Sequence, residues 1–415
     1  MRRALLCSLS VPWPHRPLLG SYHLSQARAL TRLGLTTDIA SPAPFIPDWA
    51  APLHSRLLNH WKRPQRYEMS GVTIHSPRVP FAFPKTWRFD VVPRCPWLTG
   101  ALAATALQPA LVRLLDQLGT DVLLGHGILP WGELLTRPSV RLDRRLVFIE
   151  HSWEDVMRLR SSTRLGRAYC SWARQADAVV TVSRPLAAHL RDELGLENAS
   201  WIPNGADLPS RSVNGEPRPA ELTDVPLLLA AGSCYRRKGF PELLAAFARL
   251  SEHFPTARLV IVTDRHEALQ ARVDELDLGS RVQLLPLLSP EELRRWMSWS
   301  DVFVMPSWDE AFGLVAVEAL AEGTPVIVTE DCGVASSLSL VDPEASPDPT
   351  ESSHGWRVPS RDVDSLSDAL TAALSDPQRA RRFGAAGCDV VRTTFSWTKN
   401  AEALLSRLTP VGRAA

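Results

Sequence analysis

Glu310 and Glu318, with seven residues between them, flank the expected start of a helix. They lie in the stretch MPSWDEAFGLVAVEALAEGTPVIVT, Met305 to Thr329. A helix N-terminus leaves backbone N–H groups free and carries partial positive charge, so it attracts a diphosphate. The donors here are the backbone of Phe312, Gly313 and Leu314, and Gly313 allows a ligand to come close. An ionised Glu318 only accepts hydrogen bonds, which suits two vicinal hydroxyls such as those of a ribose. Glu310 then faces a sugar. Each such bond to a charged group contributes about 1.5–3 kcal/mol. The competing reading of this local pattern is two solvated acids at a helix start, where the dipole favours them anyway.

The elements that position these acids are legible around them. Asp301 to Ser307 is apolar and β-branched and reads as a strand ended by Pro306-Ser307. Phe312 to Glu322 reads as a helix with Leu314, Val317, Leu320 and Ala321 on one face. Gly323 stops it, and Thr324 to Thr329 is a second buried strand.

Pro306-Ser307, Glu310, Phe312-Gly313, Glu318 and Gly323-Thr324-Pro325-Val326 together resemble the signature of the GT-B glycosyltransferases, specifically the retaining enzymes of glycosyltransferase family 4. The resemblance implies a nucleotide-sugar donor held by the second of two domains, with Glu310 at the sugar and Glu318 at the nucleotide. It extends to FIEHSWED (Phe148 to Asp155), where it places His151 beside the donor sugar, with Glu154 or Asp155 nearby. His126, which ends the preceding strand, reads as a structural histidine. The segment Ile202-Pro203-Asn204-Gly205-Ala206-Asp207 resembles the family's exit from its first domain.

Two loops carry the remaining donor contacts that the resemblance implies. After a first strand over Ala4 to Val11, Gly20 opens a helix expected over His23 to Leu33, with Gly20 alone left of the family's usual glycine pair. In GSCYRRKG (Gly232 to Gly239), Gly232, Lys238 and Gly239 match a diphosphate-binding loop, but Ser233 stands where the family has arginine. Arg236 or Arg237 is expected to substitute. The family's Gly-Asp-Gly is replaced by Val262-Thr263-Asp264. The strand Arg281 to Leu285 is expected to hold the nucleobase by backbone contacts around Leu285. Retention of configuration and independence of metal are likewise implied.

The chain has 415 residues, enough for two domains of ordinary size, and its 45% hydrophobic and 22% charged content is that of a globular protein. Expected domains are 1–207, a linker over 208–220, 221–395, and a C-terminal helical segment over 396–415 crossing back to the first domain. Six scattered cysteines form no CxxC pair, which argues against a zinc site and a disulfide framework. Residues 1–205 hold 25 Lys and Arg against 15 Asp and Glu, a net +10; the remaining 21 and 30 give −9. A basic half suggests an anionic partner, either a membrane surface or a lipid-linked phosphate, since its arginines form no compact tract of the kind nucleic acid needs. The competing reading is solvated basic faces.

MRRALLCSLSV imitates a signal peptide but is followed by Pro12-Trp13-Pro14 rather than a small-residue cleavage site. The longest apolar stretch, Ala101 to Val112, is too short to span a bilayer. A cytoplasmic protein, peripheral on the inner face of the membrane, is the expectation. Residues 41–100, rich in Pro, Trp and Arg, read as irregular. Trp49, Trp61, Trp87 and Trp97 there are either an acceptor contact surface or rings under long loops.

Alternating strands and helices in both halves predict α/β architecture, two Rossmann-like doubly wound domains facing across a cleft. Asp362-Val363-Asp364 resembles a metal-binding D-x-D but reads as helix-capping acids, so no metal and no cofactor are expected. The predicted activity is transfer of a sugar from a nucleotide diphosphate sugar to a sugar or lipid-linked glycan acceptor, in polysaccharide or glycolipid synthesis. The alternatives are a nucleotide-sugar epimerase on the same fold and a degenerate sugar-binding scaffold.

Overall fold

A computed structural model describes residues 2–49, 51–53, 55–79, 96–157, 159–208, 217–233, 236–345 and 353–408. Trp87, Cys95, Arg158, most of the expected linker, and Cys234 with Tyr235 lie outside the described residues. The chain forms two compact units. One runs to Ile202 and regains the chain from Asn400; the other is Pro203–Lys399. The division falls five residues before the expected 207, because Ala206 bridges Ser396 and Gly205 lies against the backbone of Trp397 in the second unit.

The first unit contains β1 (Arg3–Cys7), β2 (Thr36–Ala40), β3 (Ala43–Pro44), β4 (Arg66–Met69), β5 (Val72–His75), β6 (Arg78–Val79), β7 (Val122–His126), β8 (Arg145–Glu150), β9 (Ala178–Thr181) and β10 (Ala199–Trp201). Eight of these make one sheet in the order β10-β9-β8-β7-β1-β2-β5-β4, parallel except for the β4–β5 hairpin. Buried apolar strands such as Leu5-Leu6-Cys7 and Leu146 to Ile149 explain the parallel arrangement, since helices cover both faces of such sheets.

The described part of residues 41–100 is not irregular as expected. It supplies β3 to β6, a helix over Ser55–Lys62 and the start of the helix Pro96–Leu118. The β4–β5 turn is Ser70-Gly71, both at positive φ, which is the two-residue hairpin geometry. β1 is also shorter than expected: it ends at Cys7, although Val11 is buried. Among the described residues no helix is long and apolar enough to cross a membrane.

The second unit contains β11 (Leu227–Ala231), β12 (Arg258–Val262), β13 (Val282–Leu285), β14 (Val302–Met305), β15 (Val326–Thr329) and β16 (Gly355–Val358). They form a wholly parallel sheet in the order β13-β12-β11-β14-β15-β16. Chain order departs in both directions from β11, so the carboxyl ends of β11 and β14 flank a crevice of the kind that binds ligands in open α/β sheets. The core joins Leu228, Ala230, Ile261 and Val304 of the sheet to Phe240, Leu244 and Phe247 of the helix Phe240–His253.

Candidate functional sites

In the second unit, the loops after β11, β14, β15 and β16 converge at the carboxyl ends of the strands. Gly239, at φ +65°, precedes the helix Phe240–His253, and a Cβ there would sit 1.9 Å from the carbonyl oxygen of Pro306. Only glycine fits that close approach. The two loops are tied further, since Trp308 N–H donates to the Arg237 carbonyl at 2.9 Å. Lys238 Nζ then forms a charge-assisted hydrogen bond to Glu310 Oε2, both side chains being mostly buried. The lysine stem crosses Gly232, whose absent Cβ would lie 3.0–3.1 Å from Lys238 Cγ, Cδ and Cε.

The Glu310 backbone is fixed as well. Its carbonyl accepts from Gly333 N–H at 2.8 Å, and the Phe312 carbonyl accepts from Val334 N–H at 2.6 Å. The helix begins at Leu314, two residues later than expected, and runs to Ala321. Gly313 at φ +101° cannot continue a helix, and a side chain there would meet Met305 Cε and Cys332 Sγ at 2.6 and 2.7 Å. Phe312 is a core residue, 3% exposed, with its ring 6.1 Å from that of Phe395, so only its backbone is available to a ligand.

Glu318 lies one turn inside this helix. Burial pushes its carboxyl up to about 7; Arg294 opposes the shift, while the charges of Asp207 and Glu322 add to it. Glu322, one turn further, is likewise pushed up to about 7 by burial, with Arg294 Nε 3.9 Å from its Oε1. Asp207, in the segment that leaves the first unit, therefore belongs electrostatically with Glu318. That grouping was not legible in the sequence.

Among the remaining expected contacts, Arg237 faces Asp309 at 3.6 Å and Arg236 is exposed. The Leu285 carbonyl already accepts from Thr263 N–H at 2.9 Å, so as a nucleobase contact it has one lone pair committed to the sheet edge. Asp362 accepts from Asp364 and Ser365 N–H and caps the helix Val363–Ser375. A cavity of about 690 Å³ in this unit lies elsewhere, at the amino ends of the strands between Arg218, Glu322 and Arg381.

In the first unit, three histidines meet at the carboxyl ends of β1, β7 and β8. His126 Nδ1 and His151 Nε2 are hydrogen-bonded at 2.8 Å with rings stacked at 4.9 Å. His23, in the helix Tyr22–Arg32, meets His126 edge-on at 4.4 Å and hydrogen-bonds Ser8 Oγ at 2.9 Å. Burial lowers His151 to about 4 and holds His23 and His126 well below the usual imidazole range. All three rings are therefore neutral near pH 7. Gly20, at φ +65°, enters this cluster with a would-be Cβ 1.9 Å from Ser10 carbonyl oxygen, and its own carbonyl accepts from His23 N–H.

Glu150, 2% exposed, holds the surrounding turns: Oε1 accepts from His151 and Ser152 N–H, and Oε2 from Ile128 N–H and Tyr169 Oη. His126, read from the sequence as a structural histidine, directly contacts His151. The signal was present: β7 and β8 pair in register and each ends beside a histidine. The cluster offers neutral imidazole nitrogens and a hydroxyl, groups suited to hydrogen-bonding sugar hydroxyls. Among the described residues no group of three His, Cys, Asp or Glu is placed to hold a metal ion.

Two sequence families match the chain. "Glycosyltransferase Family 4" covers residues 19–209, and "Glycosyl transferases group 1" covers residues 216–389. A D-inositol 3-phosphate glycosyltransferase of Nocardia farcinica is 31% identical over 56% of this chain; the match spans about half of that relative, 52% of its length. Sucrose-phosphate synthase of Thermosynechococcus elongatus shares the fold with a TM-score of 0.73 at 22% identity, over 98% of both chains. HepE of Anabaena, solved with UDP-glucose, superposes with a TM-score of 0.69 at 17% identity, over 98% of this chain and 99% of its own. The two matched families, meeting end to end on the two Rossmann-like units, show that the chain belongs to the GT-B glycosyltransferases of the group 1 and family 4 type.

Proposed function

We propose that this protein is a retaining glycosyltransferase that moves a sugar from a nucleotide diphosphate sugar to a sugar or lipid-linked acceptor. The observation that carries the reading is the Lys238–Glu310 pair, held at the carboxyl ends of β11 and β14 beside the helix that contains Glu318. The pair supplies a cation for a diphosphate next to a carboxylate for a sugar. The Gly313 turn and the free N–H groups of the following helix add an anion-attracting surface. Glu318 takes the ribose, and UDP-glucose in the Anabaena structure illustrates the donor class.

In the same reading, Glu310 and His151 face the reacting sugar. Neutral His151, with its Nε2 engaged by His126, presents its other nitrogen as a hydrogen-bonding group, donor or acceptor according to which ring donates in that pair. The leaving diphosphate gains charge as the sugar bond breaks, so cations beside Lys238 favour the transition state over the ground state. No metal is needed in this scheme; that element comes from the family resemblance.

The acceptor is an anionic or lipid-linked sugar, met at the inner surface of the cytoplasmic membrane. The net +10 of residues 1–205 supports this, as does the name of the Nocardia relative, which carries an inositol phosphate. A thermal-shift screen of nucleotide sugars tests the donor half of the reading, since a ligand at 100 times its Kd stabilises by about 2.7 kcal/mol. No shift with any nucleotide sugar would overturn it. Co-sedimentation with anionic vesicles tests the membrane half; binding should fall with salt, given a screening length of about 8 Å at physiological ionic strength.

A further inference from the structure

We infer that Arg265, from the turn after β12, supplies the second cation of the diphosphate site and takes the place that Ser233 leaves empty on the β11 loop. The inference rests on the donor reading above and names a residue that no sequence match assigns.

The β11 loop lacks an arginine at Ser233, and two of its other cations are engaged by carboxylates. Lys238 is bound to Glu310, Arg237 faces Asp309 at 3.6 Å, and Arg236 is exposed. Arg265 approaches from the neighbouring strand. Its Nε donates to the Ser233 carbonyl at 3.2 Å and lies 3.5 Å from Asp264 Oδ1. Its backbone N–H is fixed by Thr263 Oγ1 at 3.2 Å. The guanidinium is therefore anchored at the arginine-less position through Nε alone. Its two terminal amino groups have no partner among the described residues, and the side chain is half exposed.

That arrangement matches the chemistry of phosphate recognition. Arginine presents its donors as a rigid planar fork that holds two phosphate oxygens at once, which a lysine cannot do. The Nε anchor fixes the plane of the fork before a ligand arrives, so less side-chain freedom is lost on binding. The family's glycine-rich turn is replaced here by Val262-Thr263-Asp264, and Arg265 follows it directly. The two departures from the family pattern, one on each strand, thus compensate each other across the β11–β12 pair.

Isothermal titration of the full chain with UDP, GDP and ADP identifies the tightest-binding nucleoside diphosphate. That probe is then compared with its monophosphate on wild type, Arg265→Ala and Arg265→Lys. Losing a charge-assisted bidentate contact should weaken diphosphate binding about 10- to 100-fold. Monophosphate binding should weaken less than about threefold, because the outer phosphate is the group Arg265 holds. Arg265→Lys should fall between the two, and unchanged melting temperatures show that the variants fold. Diphosphate affinity in Arg265→Ala equal to wild type would overturn this inference while leaving the donor reading intact. Equal loss for monophosphate and diphosphate would also overturn it. Wild type that binds no nucleoside diphosphate would overturn the donor reading and this inference with it.

Discussion

His126 Nδ1 lies 2.8 Å from His151 Nε2, with the two rings 11° from parallel, so one nitrogen must donate and the other accept. Two imidazolium ions cannot make that bond. The contact and the burial of the cluster therefore act in the same direction, toward neutral rings.

Acid should destabilise the first unit through this cluster. The folded state refuses protons down to about pH 4 at His151, whereas the unfolded histidine takes one below about 6.5. Between those values the unfolded state binds more protons, so stability is full above about 6.5 and is lost as pH falls toward 4. Each such histidine contributes up to about 1.4 kcal/mol per pH unit in that window. Tyr22, His23 and Glu150 face the same cluster, and burial also lowers His23 well below the usual imidazole range. Thermal melts from pH 4 to 8 should show a shallower acid slope for His126→Phe than for wild type. Identical slopes would contradict the assignment.

Glu318 should oppose stability while serving binding. Its carboxyl is raised to about 7, so the folded state holds a proton the unfolded state has released. The resulting cost appears as pH rises from about 4.5 to 7 and is complete above 7. Glu318→Gln should therefore stabilise the free protein by about 1–3 kcal/mol at pH 8 and leave it little changed at pH 4. The same substitution should weaken nucleotide-sugar binding about tenfold or more, since a charged acceptor is lost. A melt unchanged at pH 8 together with undiminished binding would count against the role of Glu318.

Glycine positions separate close approach from simple backbone strain. Gly239→Ala puts a Cβ 1.9 Å from the Pro306 carbonyl oxygen at φ +65°, while Gly34→Ala at φ +92° meets nothing within 4 Å. Gly34→Ala should cost about 1 kcal/mol, from conformation alone. Gly239→Ala should cost several times that and also displace Lys238 from Glu310. Chemical denaturation of both variants checks the ordering; equal losses would mean that the two loops are not locked together as described.

Much of this architecture was legible in the sequence because buried parallel strands are short apolar runs with punctuated ends. β11 was readable to the residue, and β12 and β14 to within two residues at either end. The placement of Glu310 on the loop and Glu318 inside the helix was readable because both lie in one continuous loop and helix segment. What escaped depended on contacts distant in sequence. His126 to His151, Asp207 to Glu318 and Arg265 to Ser233 each join residues from different elements, and no local period records such pairs. The β4–β5 hairpin escaped for another reason. Its Ser70-Gly71 turn was a local signal, obscured by the proline and tryptophan content around it.

The most direct measurement is release of nucleoside diphosphate from a donor that wild type binds, with and without candidate sugar and lipid-linked acceptors. Wild type should release it in an acceptor-dependent manner. Glu310→Gln and His151→Ala should still bind the donor but turn over about 100-fold or more slowly, because their contacts strengthen where charge develops. Wild-type turnover in both variants, or a wild type that binds donor yet releases nothing with any acceptor, would contradict the account.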